Sequence, residues 1–326
     1  MLNECIKNTN SYKNLMNDNA KGKFPHAVML ISEDMVYAEK YAECLAKLLL
    51  CESKVNDDMC GVCTICQNIE KSVHPDVLRF GKDGVISADD ASEIVGSVVI
   101  GPYSAERKIY ILYNYDKINK TVENKLLKTL EEPPSYCTFI LVVGNINRLL
   151  QTTLSRTRKI YLEGLSISQL SQILESQRVQ DPEIIAVQAC GSLEKAQGYA
   201  NINDAKAIMD FVCNCLTDMN DTMSIVNFAF KFEEFSNHFD DVINSFALVT
   251  FDALKTKIGA NELVENKHYF SAIKTIADNT SVTALTKIIE ATYKAKKMRE
   301  SNVVMSNIID QFLLKIVEVK IKCRKR

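Results

Sequence analysis

The sequence predicts an α/β domain with a parallel sheet, followed by a small helical domain and a wholly helical C-terminal domain. In the first half, short apolar runs alternate with longer segments in which apolar residues recur at helical spacing. This alternation of strands and helices is typical of a parallel sheet. The pattern changes near Glu163, and no proline follows Pro182, which favours long helices. We therefore expect domains at 1–162, 163–204 and 205–326.

The elements of the first domain can be assigned in chain order. Short apolar runs predict strands at Val28–Ile31, around Val77–Phe80, at Ile109–Leu112, at Phe139–Val143 and at Ile160–Leu162. Helical periodicity predicts helices at Tyr37–Leu50, from Ser87 to about Val99, and at Thr121–Leu130. Ser87 is a favourable N-cap residue, and Pro133-Pro134 ends the third helix.

The second half lacks strand signals. Between Ser166 and Ala200 we expect small helices, with breaks at Asp181-Pro182 and Gly191-Ser192. From about Ala205 onward the chain is expected to be helical, as a bundle or an oligomerisation domain.

Composition excludes several classes of protein. The 326 residues carry a net charge of -2, so the chain lacks the basic balance of a nucleic-acid-binding protein. No apolar run approaches the ~20 residues that span a bilayer, and the N-terminus lacks the pattern of a signal peptide. We expect a cytoplasmic protein with no membrane partner, whose 11 cysteines are mostly reduced or metal-bound. For Cys137, Cys190, Cys213 and Cys215 a buried thiol is the expectation.

A cluster of cysteines interrupts the first domain. The pattern C-x8-C-x2-C-x2-C is formed by Cys51, Cys60, Cys63 and Cys66. Zinc prefers four thiolates in a tetrahedron, and four protein ligands leave no position for water, so the pattern predicts structural zinc. The alternatives are a redox C-x-x-C pair, unrelated buried thiols, or His74 in place of Cys51 as the fourth ligand.

Several motifs together resemble one family. They are Phe24-Pro25-His26-Ala27, the four-cysteine insert, His74-Pro75-Asp76, K-L-L-K-T-L-E-E-P-P at 125–134, and L-L-Q-T-T-L-S-R at 149–156. With them the chain resembles the clamp-loader subunits of bacterial DNA polymerase III, a clade of AAA+ proteins. The resemblance covers about residues 20–165 and extends weakly to Gly191-Ser192-Leu193. It implies a RecA-like AAA+ domain with a zinc insert, then a lid domain and a helical collar domain.

Within this family the chain is similar to the delta prime type because a nucleotide-binding loop is missing. A motor subunit carries G-x-x-x-x-G-K-[ST] after its first strand, and its glycines and lysine hold the phosphates. Residues 31–40 read I-S-E-D-M-V-Y-A-E-K instead, without glycine. Glu33, Asp34 and Glu39 would repel a triphosphate, so we expect no ATP on this chain.

Two further positions depart from an active ATPase of the family. Asp116, in Y-N-Y-D-K-I at 113–118, lies where the family has a loop acid, but no phosphate cradle accompanies it. Glu194 replaces the arginine that senses nucleotide in the family's second domain.

One catalytic element of the family is retained. Its S-R-C motif presents an arginine finger to the ATP of the neighbouring subunit, and this chain has Ser155-Arg156-Thr157. The guanidinium is always charged and matches phosphoryl oxygens, so the resemblance implies that Arg156 acts in trans. Arg158 is a competitor for the role, and the alternative for Arg156 is an ion pair near the sheet edge.

The resemblance implies a non-hydrolysing delta prime subunit within the DNA polymerase III holoenzyme, a nucleotidyltransferase. Its partners would be the gamma/tau ATPase and delta subunits, with the sliding clamp and primed DNA reached through the hetero-oligomer. One alternative is an ATP-hydrolysing gamma/tau-type subunit. Another is a zinc-dependent nucleic-acid-binding module, which the low net charge disfavours.

Overall fold

The computed structural model describes residues 1–201, 204–219, 221–301 and 303–324. The chain divides into two compact units. The first comprises Met1–Gln169 and Ser192–Glu194, and the second Leu170–Gly191 and Lys195–Arg326. The three-domain division of the sequence stays a prediction.

A five-stranded parallel sheet lies at the centre of the first unit and confirms the predicted α/β class. Its strands are β1 (Ala27–Ile31), β2 (Val77–Phe80), β3 (Lys108–Leu112), β4 (Cys137–Val143) and β5 (Arg158–Tyr161). The order across the sheet is β2-β3-β4-β1-β5. The five predicted strands are confirmed in place; their first residues differ from the prediction by up to two positions and their last residues by at most one.

The central strands are continuous apolar runs because both faces of the sheet are covered. Every residue of β3 and β4 is buried, as parallel strands between helices require. Tyr110 and Phe139 are paired across these two strands, and their rings stack with centroids 4.8 Å apart. By contrast β5 is an edge strand and is largely exposed.

The helices of the first unit connect and cover these strands. They are α1 (Leu2–Asn8), α2 (Asn10–Ala20), α3 (Met35–Leu50), α4 (Thr64–Glu70), α5 (Ala88–Val98), α6 (Lys120–Glu131) and α7 (Gln151–Arg156). The Ser87 side chain caps α5 in a reciprocal box with Asp90, as its position predicted. The sequence did not predict α1 and α2, which are polar and bury few side chains.

The second unit is helical, as predicted. Two helices begin in the first unit and continue into the second, α8 (Ile167–Ser176) and α10 (Leu193–Asn201). The other helices of the second unit are α9 (Pro182–Gln188), α11 (Asp204–Asp218), α12 (Thr222–Glu234), α13 (Phe239–Lys257), α14 (Phe270–Asn279), α15 (Val282–Glu300) and α16 (Met305–Arg324). The predicted break at Asp181-Pro182 is confirmed, because Pro182 is the first residue of α9. The predicted break at Gly191-Ser192 precedes α10.

Phenylalanine side chains form the centre of the second unit. The ring of Phe246 contacts those of Phe211, Phe232 and Phe312, which come from α11, α12 and α16. A buried lysine links α16 to the end of α11. Lys320 Nζ donates to the carbonyl oxygens of Leu216 and Met219.

Two further observations concern the predictions made from composition. Cys137, Cys213 and Cys215 are buried as expected, but Cys190 is exposed, which corrects the prediction of a buried thiol. Cys190 follows α9 with a φ of 50°, and this left-handed turn ends the helix at the surface. No helix within the described residues is both long and apolar enough to cross a membrane.

Candidate functional site

The four cysteines of the predicted metal site converge. Cys51 follows α3, Cys60 lies in the loop, Cys63 is the N-cap of α4 and Cys66 lies within α4. Their sulfur atoms lie within 4.8 Å of one another, and Cys51 Sγ is 3.6 Å from Cys60 Sγ and 4.0 Å from Cys63 Sγ. Tetrahedral zinc with Zn–S bonds of about 2.3 Å places sulfurs about 3.8 Å apart, so this set fits the metal.

Backbone amides orient the sulfur atoms. Cys60 Sγ accepts from the N–H groups of Val62 at 3.4 Å and Cys63 at 3.3 Å, and these bonds lower the pKa of the Cys60 thiol to about 6. Burial raises the pKa of the Cys66 thiol. The loop turns at Gly61 with a φ of 76°, in the region that favours glycine. A metal held here would have four protein ligands and a structural role.

Polar contacts attach the cysteine insert to the rest of the first unit. Asp58 accepts from the Tyr12 hydroxyl at 2.6 Å and forms an ion pair with Lys7 at 3.1 Å. On the other side, Lys47 of α3 forms an ion pair with Glu70 of α4. The insert is therefore continuous with the helices α1, α2 and α3.

His74 is not among the residues that converge at the cysteine cluster. It is buried, burial lowers its pKa, and its Nδ1 accepts from the Asp76 N–H at 3.2 Å. This hydrogen bond shapes the turn before β2.

The connection between β1 and α3 is too short for a phosphate-binding loop. Ser32, Glu33 and Asp34 are the residues between the strand and the helix, whereas G-x-x-x-x-G-K-[ST] spans about eight residues. Asp34 is the N-cap of α3, and its Oδ1 accepts from the Tyr37 N–H at 2.9 Å. The chain thus supplies its own carboxylate to the helix N-terminus.

Glu194 contacts the same N-terminus. Its Oε2 accepts from the Met35 N–H at 3.1 Å, while Asp34 in turn accepts from the N–H groups of Leu193 and Glu194. All of these residues belong to the first unit. In the sequence, Asp34 and Glu194 were two separate departures from the pattern of an ATPase. In the structure they are in contact.

Asp116 is likewise engaged by the protein. It is buried, and its carboxylate accepts from the N–H groups of Gly144 and Asn145, each at 3.1 Å. These bonds fix the loop after β4.

The Arg156 guanidinium lies at the end of α7. Nη1 donates to the Thr152 carbonyl at 2.9 Å, and Nη2 forms an ion pair with Glu131 at 2.8 Å. This contact with Arg156 lowers the pKa of Glu131. The structure thus contains the ion pair that was the alternative reading of Arg156, with 27% of its side chain still exposed.

The neighbours of Arg156 have contacts of their own. The hydroxyls of Ser155 and Thr157 donate to carbonyl oxygens within α7, those of Thr152 and Thr153. Thr157 is buried. Arg158 pairs with Asp18 of α2.

Sequence reasoning missed Glu123, which is 1% exposed and contacts the start of α7. A signal for it exists in the sequence. Val122, Leu126 and Leu130 form the buried stripe of α6 at helical spacing, and Glu123 adjoins that stripe, where a carboxylate is unusual.

The first half of the chain is similar to known proteins. The family model described as "DNA polymerase III, delta subunit" matches residues 7–166. DNA polymerase III subunit gamma of Buchnera aphidicola subsp. Acyrthosiphon pisum is 29% identical over 154 residues, which is 47% of this chain and 43% of that protein. DNA polymerase III subunit tau of Escherichia coli K12 is 30% identical over 161 residues, 49% of this chain and 25% of that protein.

A solved structure of a DNA polymerase III gamma subunit-related protein from Thermotoga maritima aligns over 94% of this chain and 99% of that chain. The identity is 16% and the TM-score is 0.44. Residues 7–166 are therefore similar to a DNA polymerase III delta-subunit domain. The matched segment spans less than half the length of either curated relative.

Proposed function

We propose that this chain is a non-hydrolysing subunit of the DNA polymerase III clamp loader, of the delta prime type. It serves as a scaffold and supplies Arg156 in trans to a neighbouring ATPase subunit, as the loader places the sliding clamp on primed DNA. One observation carries the proposal: the carboxylates of Asp34 and Glu194 occupy the backbone N–H groups at the start of α3.

These N–H groups are the ones that a phosphate-binding loop would offer to ATP. A helix N-terminus attracts anions through its free N–H groups and its dipole. Here two carboxylates of the chain itself use them, and Glu33 adds a third negative charge. A triphosphate would have to displace hydrogen-bonded carboxylates, and their negative charge would repel it. Both effects disfavour binding of ATP.

Action in trans needs no nucleotide site on this chain. Arg156 is partly exposed at the end of a helix, and its Glu131 partner is 52% exposed. An exposed ion pair contributes little to stability because solvent screens it, whereas a bidentate guanidinium–phosphate contact in a closed site is stronger. A neighbouring triphosphate can therefore draw Arg156 away from Glu131 at little cost.

The cysteine cluster fits this non-catalytic role. Cys51, Cys60, Cys63 and Cys66 would hold zinc as a structural ion, without an open position for water or substrate. The gamma/tau ATPase and delta subunits are the proposed partners, and the helical second unit is the proposed site of oligomerisation.

The names of the relatives favour a second candidate, an ATP-hydrolysing gamma/tau-type subunit. The loop at Ser32, Glu33 and Asp34 disfavours it, because a motor subunit needs the glycines and lysine of the phosphate loop.

Calorimetric titration of the purified chain with Mg-ATP separates the two candidates. We expect no detectable binding at millimolar nucleotide, since the helix N-terminus is already occupied. A parallel titration of Asp34→Asn together with Glu194→Gln tests whether these carboxylates are the reason. Micromolar affinity of the unaltered chain would overturn the proposal and favour the gamma/tau-type subunit.

Substitution of Arg156 tests the function in trans. In a loader reconstituted with the ATPase and delta subunits, Arg156→Ala should slow clamp-stimulated ATP hydrolysis on the order of 10³-fold at the neighbouring site. Arg158→Ala, which removes a guanidinium from the adjacent strand, is the matched control and should have little effect. Unchanged hydrolysis in Arg156→Ala, or a large loss in Arg158→Ala alone, would refute the assignment of Arg156.

A further inference from the structure

Glu123 is a buried carboxylate whose hydrogen bonds are directed at the start of α7. Its Oε1 accepts from the Leu150 N–H at 2.8 Å and from the Thr153 hydroxyl at 2.7 Å. Its Oε2 forms an ion pair with Lys120 at 3.3 Å. A buried charge requires such partners, so these contacts hold α6 and the start of α7 together.

Helix α7 depends on this contact because it lacks a cap of its own. Its N-cap residue is Leu150, whose side chain cannot accept a hydrogen bond, and the helix has six residues. Helices of this length are unstable without tertiary contacts. Glu123 therefore provides from α6 a carboxylate for the N–H group of this N-cap residue, the contact that the N3 side chain makes in a capping box.

The other end of α7 is tied to the same helix. Arg156, its last residue, contacts Glu131, the last residue of α6. The two ties differ in burial: Glu123 is 1% exposed, whereas the Glu131 side chain is 52% exposed. The buried tie fixes the helix, and the exposed tie holds a side chain that can exchange partners.

We propose that Glu123 is a positioning residue for Arg156. By fixing the start of α7, it sets where the guanidinium projects toward the triphosphate of the neighbouring subunit. The inference rests on the proposed function of Arg156. An arginine that stabilises a transition state must be held accurately, because a displacement of about 1 Å costs on the order of 10² in rate.

The test is Glu123→Gln in the reconstituted loader. Glutamine keeps the size of the side chain but lacks the charge that strengthens the bonds to Leu150 and Thr153. We expect kcat for ATP hydrolysis at the neighbouring site to fall about 10- to 100-fold, with KM for ATP and subunit assembly unchanged. Glu132→Gln, the same change at an exposed residue just after α6, is the matched control and should alter kcat by less than about twofold.

A double-substitution cycle separates positioning from a general structural role. If Glu123 acts through Arg156, Glu123→Gln combined with Arg156→Ala should be no slower than Arg156→Ala alone. Additive losses in the double variant would overturn the inference. Wild-type kcat in Glu123→Gln, with Arg156→Ala still slow, would overturn it and leave the proposed function standing.

Two outcomes need separate treatment. If Arg156→Ala itself has no effect, the proposed function fails, and the inference fails with it. If Glu123→Gln does not assemble, Thr153→Val removes one bond to Glu123 at equal volume, and the same cycle with Arg156→Ala decides. A kcat of Thr153→Val equal to wild type would then overturn the inference.

Discussion

Four carboxylates of the first unit accept hydrogen bonds from the backbone of their own chain. Asp34, Asp76, Asp116 and Glu123 each accept hydrogen bonds from backbone N–H groups of a loop or a helix start. Two of them, Asp34 and Asp116, lie where the family resemblance places nucleotide chemistry. Here an acidic residue next to a parallel sheet fixes the geometry of connections, and no metal or phosphate is needed to explain it.

Asp76 shows the energetic consequence. It is 1% exposed and accepts from the N–H groups of Tyr103, Ser104 and Ala105 and from the Ser104 hydroxyl. Burial alone would raise its pKa, but these four hydrogen bonds outweigh burial and lower it. The carboxylate therefore stabilises the fold in its charged form.

We predict that Asp76→Asn lowers the free energy of unfolding by about 2–4 kcal/mol at pH 7, because the amide cannot accept all these bonds. A folded pKa below the unfolded value of about 3.9 means that the contribution is complete above that value. It is lost as the pH falls through the lower folded pKa. Urea unfolding between pH 7 and pH 2 measures the difference between the two proteins.

Asp83→Asn, at an exposed position in the next loop, is the matched control and should change the free energy of unfolding by less than about 0.5 kcal/mol. If Asp76→Asn lost as much stability at pH 2 as at pH 7, the charged hydrogen bonds would not be the cause.

At the scale of elements, the sequence was informative where burial is periodic or continuous. Strands β3 and β4 are apolar throughout, and Ser87 followed by Asp90 marks the start of α5, so these elements were predictable. Helices α1 and α2 were not, because their surfaces are polar and Tyr12 and Leu15 are the buried side chains of α2. The Thr9 cap between them was the available signal.

Contacts between elements explain the rest of what the sequence could not predict. The four cysteines could be grouped because zinc ligation imposes a local spacing. The meeting of Asp34 with Glu194, and of Glu123 with Thr153, joins residues 160 and 30 positions apart. Such pairs depend on the positions of α3, α6 and α7 in the fold, which residue spacing does not predict. Lys320, which caps α11 from α16, is a further case.

At the scale of the whole molecule, the two units have separate sources of stability. The first rests on the sheet and on the cysteine insert, which the Lys7–Asp58 and Lys47–Glu70 pairs attach to its helices. The second has its own apolar core, in which Phe246 is central. Loss of a structural metal should therefore lower the stability of the first unit only.

We predict that Cys63→Ser removes bound zinc and loosens residues 51–70 together with α1 and α2, while α11 to α16 keep their protection. Coordination energy is folding energy in such modules, about 10–16 kcal/mol for zinc-finger peptides. The loosening should extend to α1 and α2 because Asp58, which lies in the insert, contacts Lys7 of α1 and Tyr12 of α2. Zinc analysis of the purified protein, with amide hydrogen exchange followed by mass spectrometry, measures both effects.

Cys190→Ser, at an exposed cysteine outside the cluster, is the matched control and should retain zinc and exchange like the unaltered chain. Zinc retained in Cys63→Ser would refute the four-thiolate site. Equal loss of protection in α11 to α16 would instead show that the two units unfold as one.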